Sequence, residues 1–230
     1  MPRHSYIFFL YLAAWLCPVS PSRAIDPGDR SGAPLFTIAR LQYGGGGDWY
    51  SDPSSLPNLL RFLSERTQID AATAEAQVEI LDEALFSFPY TYMTGHGNIF
   101  FGPDETIRLR HYLESGGFLH ADDNYGMDES FRREMHKVLP NLEWVELPAD
   151  HPIFHCHFTL PEGLPKVHEH DGKKPQALGL YIDERLAVLY TYEADLGDGW
   201  EDAHVHEAPE SKRMAALKMG ANIAVWALSH

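Results

Sequence analysis

Along the chain, short apolar stretches alternate with segments whose apolar residues recur every three or four positions. This pattern predicts strands that alternate with helices. Short stretches rich in aliphatic and aromatic residues, bounded by Gly, Pro or Asp, are typical of strands, whereas apolar residues three and four positions apart indicate helices. This alternation predicts one α/β domain over residues 35–230, with a parallel sheet under helices on both faces. Strands are predicted over residues 35–43, 77–81, 88–93, 142–147, 177–182 and 185–192, and after Gly116-Gly117. Helices are predicted over residues 54–66, 103–115, 128–139 and 214–228.

Local residue choices mark the ends of several elements. Ser54 or Ser55 is expected to cap the first helix, and Asp128 the third, because Ser and Asp side chains accept hydrogen bonds from free backbone N–H groups. Gly220, inside the last helix, predicts a close crossing with another element. Two stretches are predicted to be loops, the Pro- and His-rich residues 150–174 and the acidic residues 195–207.

The stretch GGFLHADDNYG, residues 116–126, places four polar side chains at the end of a predicted strand. In open parallel sheets, ligands bind outside the carboxyl ends of the strands, which favours a functional site here. The alternative is a simple Asp-rich turn, because Asp and Asn are common in turns. The four residues are His120, Asp122, Asp123 and Asn124.

A histidine between two glycines ends the preceding predicted strand. It is His96, and we expect it to lie near Asp122, because consecutive parallel strands joined by one helix are usually neighbours. Side chains alternate along a strand, so His120 and Asp122 are expected to share one face while Asp123 points to the other. The predicted catalytic residues, acting as acids or bases, are His96, His120, Asp122 and Asp123.

Six of the thirteen histidines form His-x-His pairs, at positions 155/157, 168/170 and 204/206, with carboxylates nearby in sequence. In an extended segment such a pair places two imidazoles on one side, as a metal ion requires. Imidazole with carboxylate suits zinc, iron or manganese better than calcium. The alternative is a flexible acidic surface without a metal. The predicted metal ligands are His168, His170 and Asp171, which follow Gly163-Leu164-Pro165, together with His155.

Two further stretches add candidate ligand-binding residues. Residues 195–202, DLGDGWED, have the acid and glycine density of a calcium loop but lack the EF-hand spacing. They are alternatively the rim of a pocket, with Trp200 as its apolar wall. Four glycines at 44–47 lack the Lys of a phosphate-binding loop, and Trp49 after them either walls a pocket or packs in the core. The predicted ligand-binding residues are Trp49, Asn124, Asp195 and Trp200.

The first residues have the organisation of a secretory signal. Arg3 and His4 precede an apolar run over residues 6–16, and Ser22-Arg23-Ala24 offers small residues for cleavage. The run is shorter than the roughly 20 residues that span a bilayer. We therefore expect cleavage near Ala24, a linker over residues 25–34, and an exported, periplasmic or extracellular chain without a membrane span. An uncleaved anchor is the alternative.

Charge and cysteine content exclude several functions. The chain carries 18 basic and 33 acidic residues, and without Arg3 and Arg23 of the signal 16 basic residues remain, a net charge of −17. Such a surface repels nucleic acids and anionic lipids. Without Cys17 only Cys156 is left, so no internal disulfide forms, and Cys156 is either a buried small residue or a metal or redox ligand. The G-x-S-x-G motif is absent from the sequence and no Cys stands at a predicted strand–helix turn, which disfavours covalent acyl transfer.

Several of these segments together resemble the DUF4159 family of uncharacterised bacterial domains. The resemblance extends from about residue 35 to 228 and implies a class I glutamine-amidotransferase-like fold, a flavodoxin-like three-layer sandwich with a mostly parallel sheet. The nearest analogue there is the ThuA-like group, whose Gly-Gly-Phe-Val-Gly-hydrophobic-His strand is similar to residues 116–120. In amidotransferases that strand leads to a nucleophilic Cys, whereas His120, Ala121 and Asp122 stand here, so glutaminase activity is not expected. The segments are YMTGHG (92–97), LRHYL (109–113), GGFLHADD (116–123), His151-Pro152, GLPKVHEHD (163–171) and DLGDGWED (195–202).

Two functions of different classes follow from these features. The first is an exported enzyme for a small polar or sugar-like ligand, a metal-dependent hydrolase or isomerase in which His168 and His170, helped by Asp122 or His96, hold a divalent transition metal. His120 or Asp123 is then the general acid or base. The alternative is a non-catalytic ligand-binding or adaptor module with protein partners in the cell envelope. It predicts dispersed His and Asp side chains and an exposed apolar patch.

Overall fold

The structure, a computed structural model, describes Met1, residues 35–170 and residues 172–230. The predicted signal segment and linker, apart from Met1, lie outside the described residues, and so does Asp171, one of the predicted metal ligands. Within the described part of the chain, we find no helix with the length and hydropathy that crossing a membrane requires.

In the described residues, seven strands form one mostly parallel sheet. They are β1 (Ala39–Gln42), β2 (Ala76–Glu79), β3 (Tyr90–Met93), β4 (Phe118–Asp122), β5 (Val145–Glu146), β6 (Gln176–Ile182) and β7 (Arg185–Tyr192). Their order in the sheet is β2-β1-β3-β4-β7-β6-β5. The first five strands in this order pair in parallel, and β6 pairs antiparallel with both β7 and β5. The predicted α/β class with a mostly parallel sheet is confirmed.

Among the described residues, α-helices lie at each of the four predicted places and at two others, and short 3-10 helices lie at Glu83–Ser87 and, within the predicted loop 150–174, at Pro152–Phe154. The α-helices are α1 (Ser55–Arg66), α2 (Pro103–Glu114), α3 (Asp128–Val138), α4 (Leu196–Trp200), α5 (Ala203–His206) and α6 (Glu210–Ser229). The prediction of a loop over residues 195–207 is wrong, because α4 and α5 form there. Leu196 and Trp200 are fully buried in the core that contains α1 and α6. This burial stabilises a helical turn that the local glycines and carboxylates do not favour.

The predicted helix caps take other partners. Ser54 is the N-cap residue of α1, but its side chain makes no capping hydrogen bond. Its Oγ instead donates to Glu201 Oε1 at 3.1 Å. Asp128 lies inside the first turn of α3, after the N-cap residue Met127, and accepts a hydrogen bond from Arg132 Nε at 2.6 Å. Polar contacts with distant segments therefore outweigh local capping at the start of α1.

Strand side chains alternate between two hydrophobic cores, one on each face of the sheet. Tyr92 and Phe118 belong to the core that contains α1 and α6, whereas Leu119 belongs to the core that contains α2 and α3. His120 and Asp122 follow Phe118 at intervals of two, so they share one face, as the alternation predicts. Polar groups at the end of β4 therefore face the side of the sheet that α1, α4 and α6 cover.

Gly220 lies where α6 passes α1 and α4, in agreement with the predicted close crossing. A Cβ atom at this position would lie 2.7 Å from Leu59 Cδ1 and 2.9 Å from Trp200 Cζ2. A helical Gly→Ala substitution ordinarily stabilises by about 1 kcal/mol, but we expect Gly220→Ala to lower the free energy of unfolding by about 1–3 kcal/mol because the core is overpacked. Urea denaturation measures the change, with Ser211→Ala on an exposed part of α6 as the control. A stabilised Gly220→Ala protein would contradict the close crossing.

Candidate metal centre

Segments that follow β1, β4 and β7 meet at the carboxyl edge of the sheet. β4 lies parallel to β3 and β7, with Met93 opposite Ala121 and Asp122 opposite Thr191, so the strands end at the same edge. This is the edge at which open parallel sheets bind ligands. The segments bring seven buried polar residues to it: Asp52, Asp122, Asp123, Asn124, Asp195, Asp198 and Glu201.

His168, Asp198 and His206 form a compact group of metal-binding side chains. His168 Nδ1 lies 2.6 Å from Asp198 Oδ2, and His206 Nε2 lies 3.4 Å from Asp198 Oδ1. One ligand atom from each of the three residues lies within 4.8 Å of the other two. α4 carries Asp198, α5 carries His206, and His168 lies in the loop before β6. Two imidazoles and one carboxylate are a ligand set of catalytic zinc sites.

Asp52 and Glu201 extend this group through His206. Ligand atoms of these three residues also lie within 4.8 Å of one another, and His206 Nε2 is 2.9 Å from Glu201 Oε2. The other Glu201 oxygen accepts hydrogen bonds from the Ser54 hydroxyl and backbone N–H. His206 therefore belongs to both groups, and five side chains that can bind a metal surround one region.

Arg40 holds the loop that carries Asp52. This arginine on β1 is only 1% exposed. Its Nη1 donates to the Ser51 carbonyl oxygen at 2.7 Å, its Nη2 donates to the Asp52 carbonyl oxygen at 3.1 Å, and its Nε lies 3.5 Å from Glu75 Oε1. The planar guanidinium has donors in a fixed fork, which suits several fixed acceptors at once. It thereby sets the path of the loop and the position of Asp52.

A chain of buried hydrogen bonds ends at Asp122. Tyr90 Oη lies 3.0 Å from His120 Nδ1, and His120 Nε2 lies 2.9 Å from Thr191 Oγ1. Thr191 Oγ1 donates to Asp122 Oδ1 at 2.5 Å, so we infer that His120 carries its proton on Nε2 and that Tyr90 donates to Nδ1. Gly197 N donates to the second Asp122 oxygen at 2.7 Å. The Tyr92 hydroxyl donates to the same oxygen at 3.5 Å, so Asp122 is held in one orientation by donors at both of its oxygens.

Burial controls the protonation of this network. It lowers the pKa of His120 to about 3, so the imidazole is neutral, and this favours a positioning role over the predicted acid–base role. Burial raises the pKa of Asp122 to about 7, and the hydrogen bond from Thr191 opposes the rise. Burial and the charge of Asp198 raise the pKa of Asp52 to about 7. Near neutral pH, Asp52 and Asp122 can therefore each gain or lose a proton.

His170 and Asp195 form a close side-chain pair beside this network. His170 Nε2 contacts Asp195 Oδ2, and the imidazole stacks on Tyr125 with ring centroids 4.9 Å apart. Burial, then the charge of Asp122, raises the pKa of Asp195 to about 9. Asp123 lies two residues before Tyr125, and its two oxygens accept hydrogen bonds from the backbone N–H groups of Tyr125 and Glu193, in the segments after β4 and β7. Asp123 therefore joins two loops of the site.

Strained backbone conformations gather at the same edge. In the described part of the chain, six residues other than Gly have positive φ angles. Such conformations cost of order 1–3 kcal/mol each and are common at functional sites. Their concentration here supports a functional role for this edge. Four of the six lie in the site segments: Asp52 (55°), Tyr125 (83°), Glu193 (56°) and Asp195 (50°).

The structure gives two predicted histidines other partners. His96 Nδ1 lies 3.1 Å from Asp48 Oδ2 after the four glycines, and the His96 side chain is half exposed. His155 Nε2 bonds the Ala149 carbonyl oxygen at 2.9 Å. Neither ligand group found among the described residues contains His96 or His155. His-x-His spacing is also a poor guide at the third pair, because His204 is exposed while His206 faces the site.

The predicted ligand-binding tryptophans lie in other surroundings. Trp200 is fully buried, packs on Tyr92 at 5.5 Å and donates from Nε1 to the Ala216 carbonyl oxygen. Trp200 therefore belongs to the core that supports the site, and it does not form the exposed wall of a pocket. Trp49 lines a separate cavity of about 260 Å³ near the end of β1. Cys156, whose Sγ is 3.4 Å from the Asn222 carbonyl oxygen, is half-buried and outside both ligand groups.

Four residues of the centre are absent from the predicted ligand set, and three of them have a sequence signal. Asp198 and Glu201 lie in the acid- and glycine-rich stretch, and His206 belongs to a His-x-His pair. No sequence signal marks Asp52, because a single Asp is common in turns. No sequence signal marks Arg40 either, because a charged residue in a short strand is normally expected on a solvent-exposed face.

The comparisons with known proteins identify a family and no activity. The profile of a family described as "Domain of unknown function (DUF4159)" matches residues 37–228. This range includes all seven strands and each residue of the two ligand groups. The chain matches no curated protein. What the centre does must therefore be inferred from its own chemistry.

Proposed function

We propose that this chain, which belongs to the DUF4159 family, binds one divalent transition metal ion through His168, Asp198 and His206 and acts as an enzyme on a small polar or sugar-like ligand. One observation carries the proposal: ligand atoms of these residues, which come from three different segments, lie within 4.8 Å of one another. Glu201 and Asp52 offer further oxygen ligands. Two imidazoles with carboxylates favour zinc, iron or manganese.

The residues around the centre suit metal-assisted hydrolysis or isomerisation. A metal bound there would polarise a substrate oxygen or make a water molecule more acidic. We assign proton transfer to Asp52, because burial brings its pKa to about 7 and a general base works best near the working pH. Asp122 has the same raised pKa, but both of its oxygens are already held by protein donors.

We assign the fold to the flavodoxin-like, class I glutamine-amidotransferase-like group, with ThuA-like proteins as the nearest analogue. The parallel centre of the sheet and the helices of both cores support this assignment. At the end of β4, where an amidotransferase has a nucleophilic Cys, this chain has His120, Ala121 and Asp122. The proposed chemistry therefore uses a metal rather than a covalent enzyme intermediate. The signal-like pattern in residues 1–24 supports an exported protein.

A non-catalytic adaptor of an envelope complex is the competing function. It predicts His and Asp side chains dispersed over this edge of the sheet. Instead, five side chains from different segments converge in two groups that share His206. A purely structural module also gains little from the strained backbone of Asp52 and Asp195. These observations favour the enzyme.

Calorimetry with Zn²⁺ tests the proposal. The purified chain, stripped with a chelator, is expected to bind one equivalent of Zn²⁺. His206→Ala should weaken binding by about 100-fold, because it removes a ligand common to both groups. His204→Ala is the matched control on the same short helix, and its exposed side chain should leave Zn²⁺ affinity unchanged.

Two results would reject the metal centre. The first is a wild-type protein that takes up no stoichiometric zinc, iron or manganese. The second is equal Zn²⁺ affinity in His206→Ala and His204→Ala, when circular dichroism shows both proteins to be folded. Either result would favour the adaptor function.

A further inference from the structure

Two buried oxygen atoms beside the metal centre have no hydrogen-bond partner among the described residues. They are Asn124 Oδ1 and Asp195 Oδ1, in residues that are 2% and 0% exposed. Asp195 Oδ2 pairs with His170, and Asn124 Nδ2 donates to Asp52 Oδ2 at 3.0 Å. A buried acceptor without a partner is destabilising, so both atoms indicate a ligand that the protein itself does not supply.

The surroundings of these atoms attract a cation. Asp52 and Asp122 meet at the start of α4, because a Cβ atom on Gly197, two residues after Asp195, would lie 2.7 Å from Asp52 Oδ2 and 3.4 Å from Asp122 Oδ2. The charge of Arg40 opposes the rise that burial causes in the pKa of Asp52, but the Nη donors of Arg40 bind backbone carbonyl oxygens and the Ser55 hydroxyl. His170 contacts only one oxygen of Asp195. Acidic side chains therefore outnumber basic ones around the two free oxygens, and a bound cation would displace the proton that the raised pKa of Asp195 retains.

We propose that an oxygen-lined compartment formed by Asp52, Asn124 and Asp195 binds a hard divalent cation, with Mg²⁺ as its type, beside the transition metal. The three side chains offer two carboxylates and one amide carbonyl. Oxygen ligands of this kind suit Mg²⁺, Ca²⁺ or Mn²⁺, whereas the imidazoles of the neighbouring group suit zinc. Mg²⁺ is commonly held by one or two carboxylates and retains several waters, so three protein ligands are enough.

Asp52 connects the two cation positions. It is within the 4.8 Å group of Glu201 and His206, and its Oδ2 accepts the hydrogen bond from Asn124. With a second cation bound, Asp52 would be a ligand of both ions instead of the base, and paired ions of this kind stabilise both the attacking and the leaving oxygen of a displacement. In such a hydrolysis, the water oxygen would bond to the electrophilic atom and give up one proton, the bond to the leaving oxygen would break, and the leaving oxygen would take up that proton. The second cation thus rests on the proposed function and narrows it to a hydrolase.

Calorimetry with two metals tests this compartment. Mg²⁺ is titrated into the purified chain with and without saturating Zn²⁺. Asn124→Leu should weaken Mg²⁺ binding by at least about tenfold, because it removes an oxygen ligand of the compartment. It should weaken Zn²⁺ binding less, by no more than about threefold, because it removes only the hydrogen bond to Asp52 Oδ2 and leaves His168, Asp198 and His206 in place. Asn141→Leu, at an exposed Asn after α3, is the matched control and should bind both metals as the wild type does.

The outcomes separate this inference from the proposed function. If the wild type binds no Mg²⁺ up to about 10 mM, where even weak sites fill, the second site is wrong and the zinc centre stands. If Mg²⁺ binds but Asn124→Leu binds it equally well, the ion lies elsewhere on the acidic surface. If Asn124→Leu does not fold, Asp195→Asn replaces it, and an unchanged Mg²⁺ affinity in that variant contradicts the proposed compartment in the same way. If Mg²⁺ binds and Zn²⁺ does not, the oxygen compartment stands and the proposed transition-metal centre fails.

Discussion

Arg40→Met is expected to lower the free energy of unfolding by about 3–5 kcal/mol, the usual cost of removing one partner from a buried ionic network. The substitution removes the guanidinium donor from the Ser51 carbonyl oxygen and from the Asp52 carbonyl oxygen, of which the second keeps the Ser55 hydroxyl. It also leaves Glu75 without its ion-pair partner. Methionine fills part of the volume but donates no hydrogen bond. Urea denaturation near neutral pH measures the effect.

The position of Asp52 gives this substitution a second consequence. Because Arg40 sets the path of the Asp52 loop, we expect Zn²⁺ affinity to fall by about tenfold in those Arg40→Met molecules that remain folded. Arg61→Met, on the exposed face of α1, is the matched control and should change stability by less than about 0.5 kcal/mol. A loss below about 1 kcal/mol in Arg40→Met would show that other contacts hold the loop.

His120→Leu is expected to destabilise the protein by about 3 kcal/mol, because it leaves the buried Tyr90 hydroxyl without an acceptor and Thr191 Oγ1 without a donor. The double variant with Tyr90→Phe should regain part of this loss, since removing both members of a buried hydrogen bond costs less than removing one. Chemical denaturation measures both proteins. His136→Leu, at an exposed position on α3, is the control and should change stability little.

The stability that His120 contributes should depend on pH. In the folded protein its pKa is lowered from 6.5 to about 3 by burial, so between these values the unfolded chain binds the extra proton. Stability from His120 is therefore complete above pH 6.5 and is lost as the pH falls toward 3, by up to about 1.4 kcal/mol per pH unit. The difference between wild type and His120→Leu should shrink over this range. The raised pKa values of Asp52 and Asp195 cancel in the comparison, because both proteins contain these residues. A difference that stays constant down to pH 4 would mean that His120 is not held neutral.

Much of the sheet and part of the site can be predicted from local sequence patterns. The β4 strand and its polar end follow from two glycines, a short apolar run and the alternation that puts His120 and Asp122 on one face. The β6–β7 hairpin follows from two β-rich stretches around Asp183, which has the positive φ of a tight turn. His168 is predicted as a metal ligand, and the structure places it against Asp198. These features depend on residues close to one another in the chain.

The remaining features depend on contacts between distant residues. α4 forms because Leu196 and Trp200 are buried against other helices. The local sequence does not predict this burial. His120 has the residue type of a catalytic acid, yet the same Trp200 covers it, with ring centroids 6.0 Å apart, which makes it a neutral support. Asp52 is a candidate ligand because Arg40 holds its loop and its carboxylate lies near His206. Identifying such residues requires the tertiary structure.

The centre also has a consequence for the order of folding. Ser54 and Glu201, which hydrogen-bond at its edge, are 147 residues apart, and Asn58 and Asp202 are 144 apart. Contacts between such distant residues slow folding, because the chain must lose much of its entropy before they form. We expect the centre to assemble in the last stage, after the transition state, so a bound metal should lengthen the lifetime of the folded protein without speeding its formation. The metal content of a preparation would then report the fraction of chains that have finished folding.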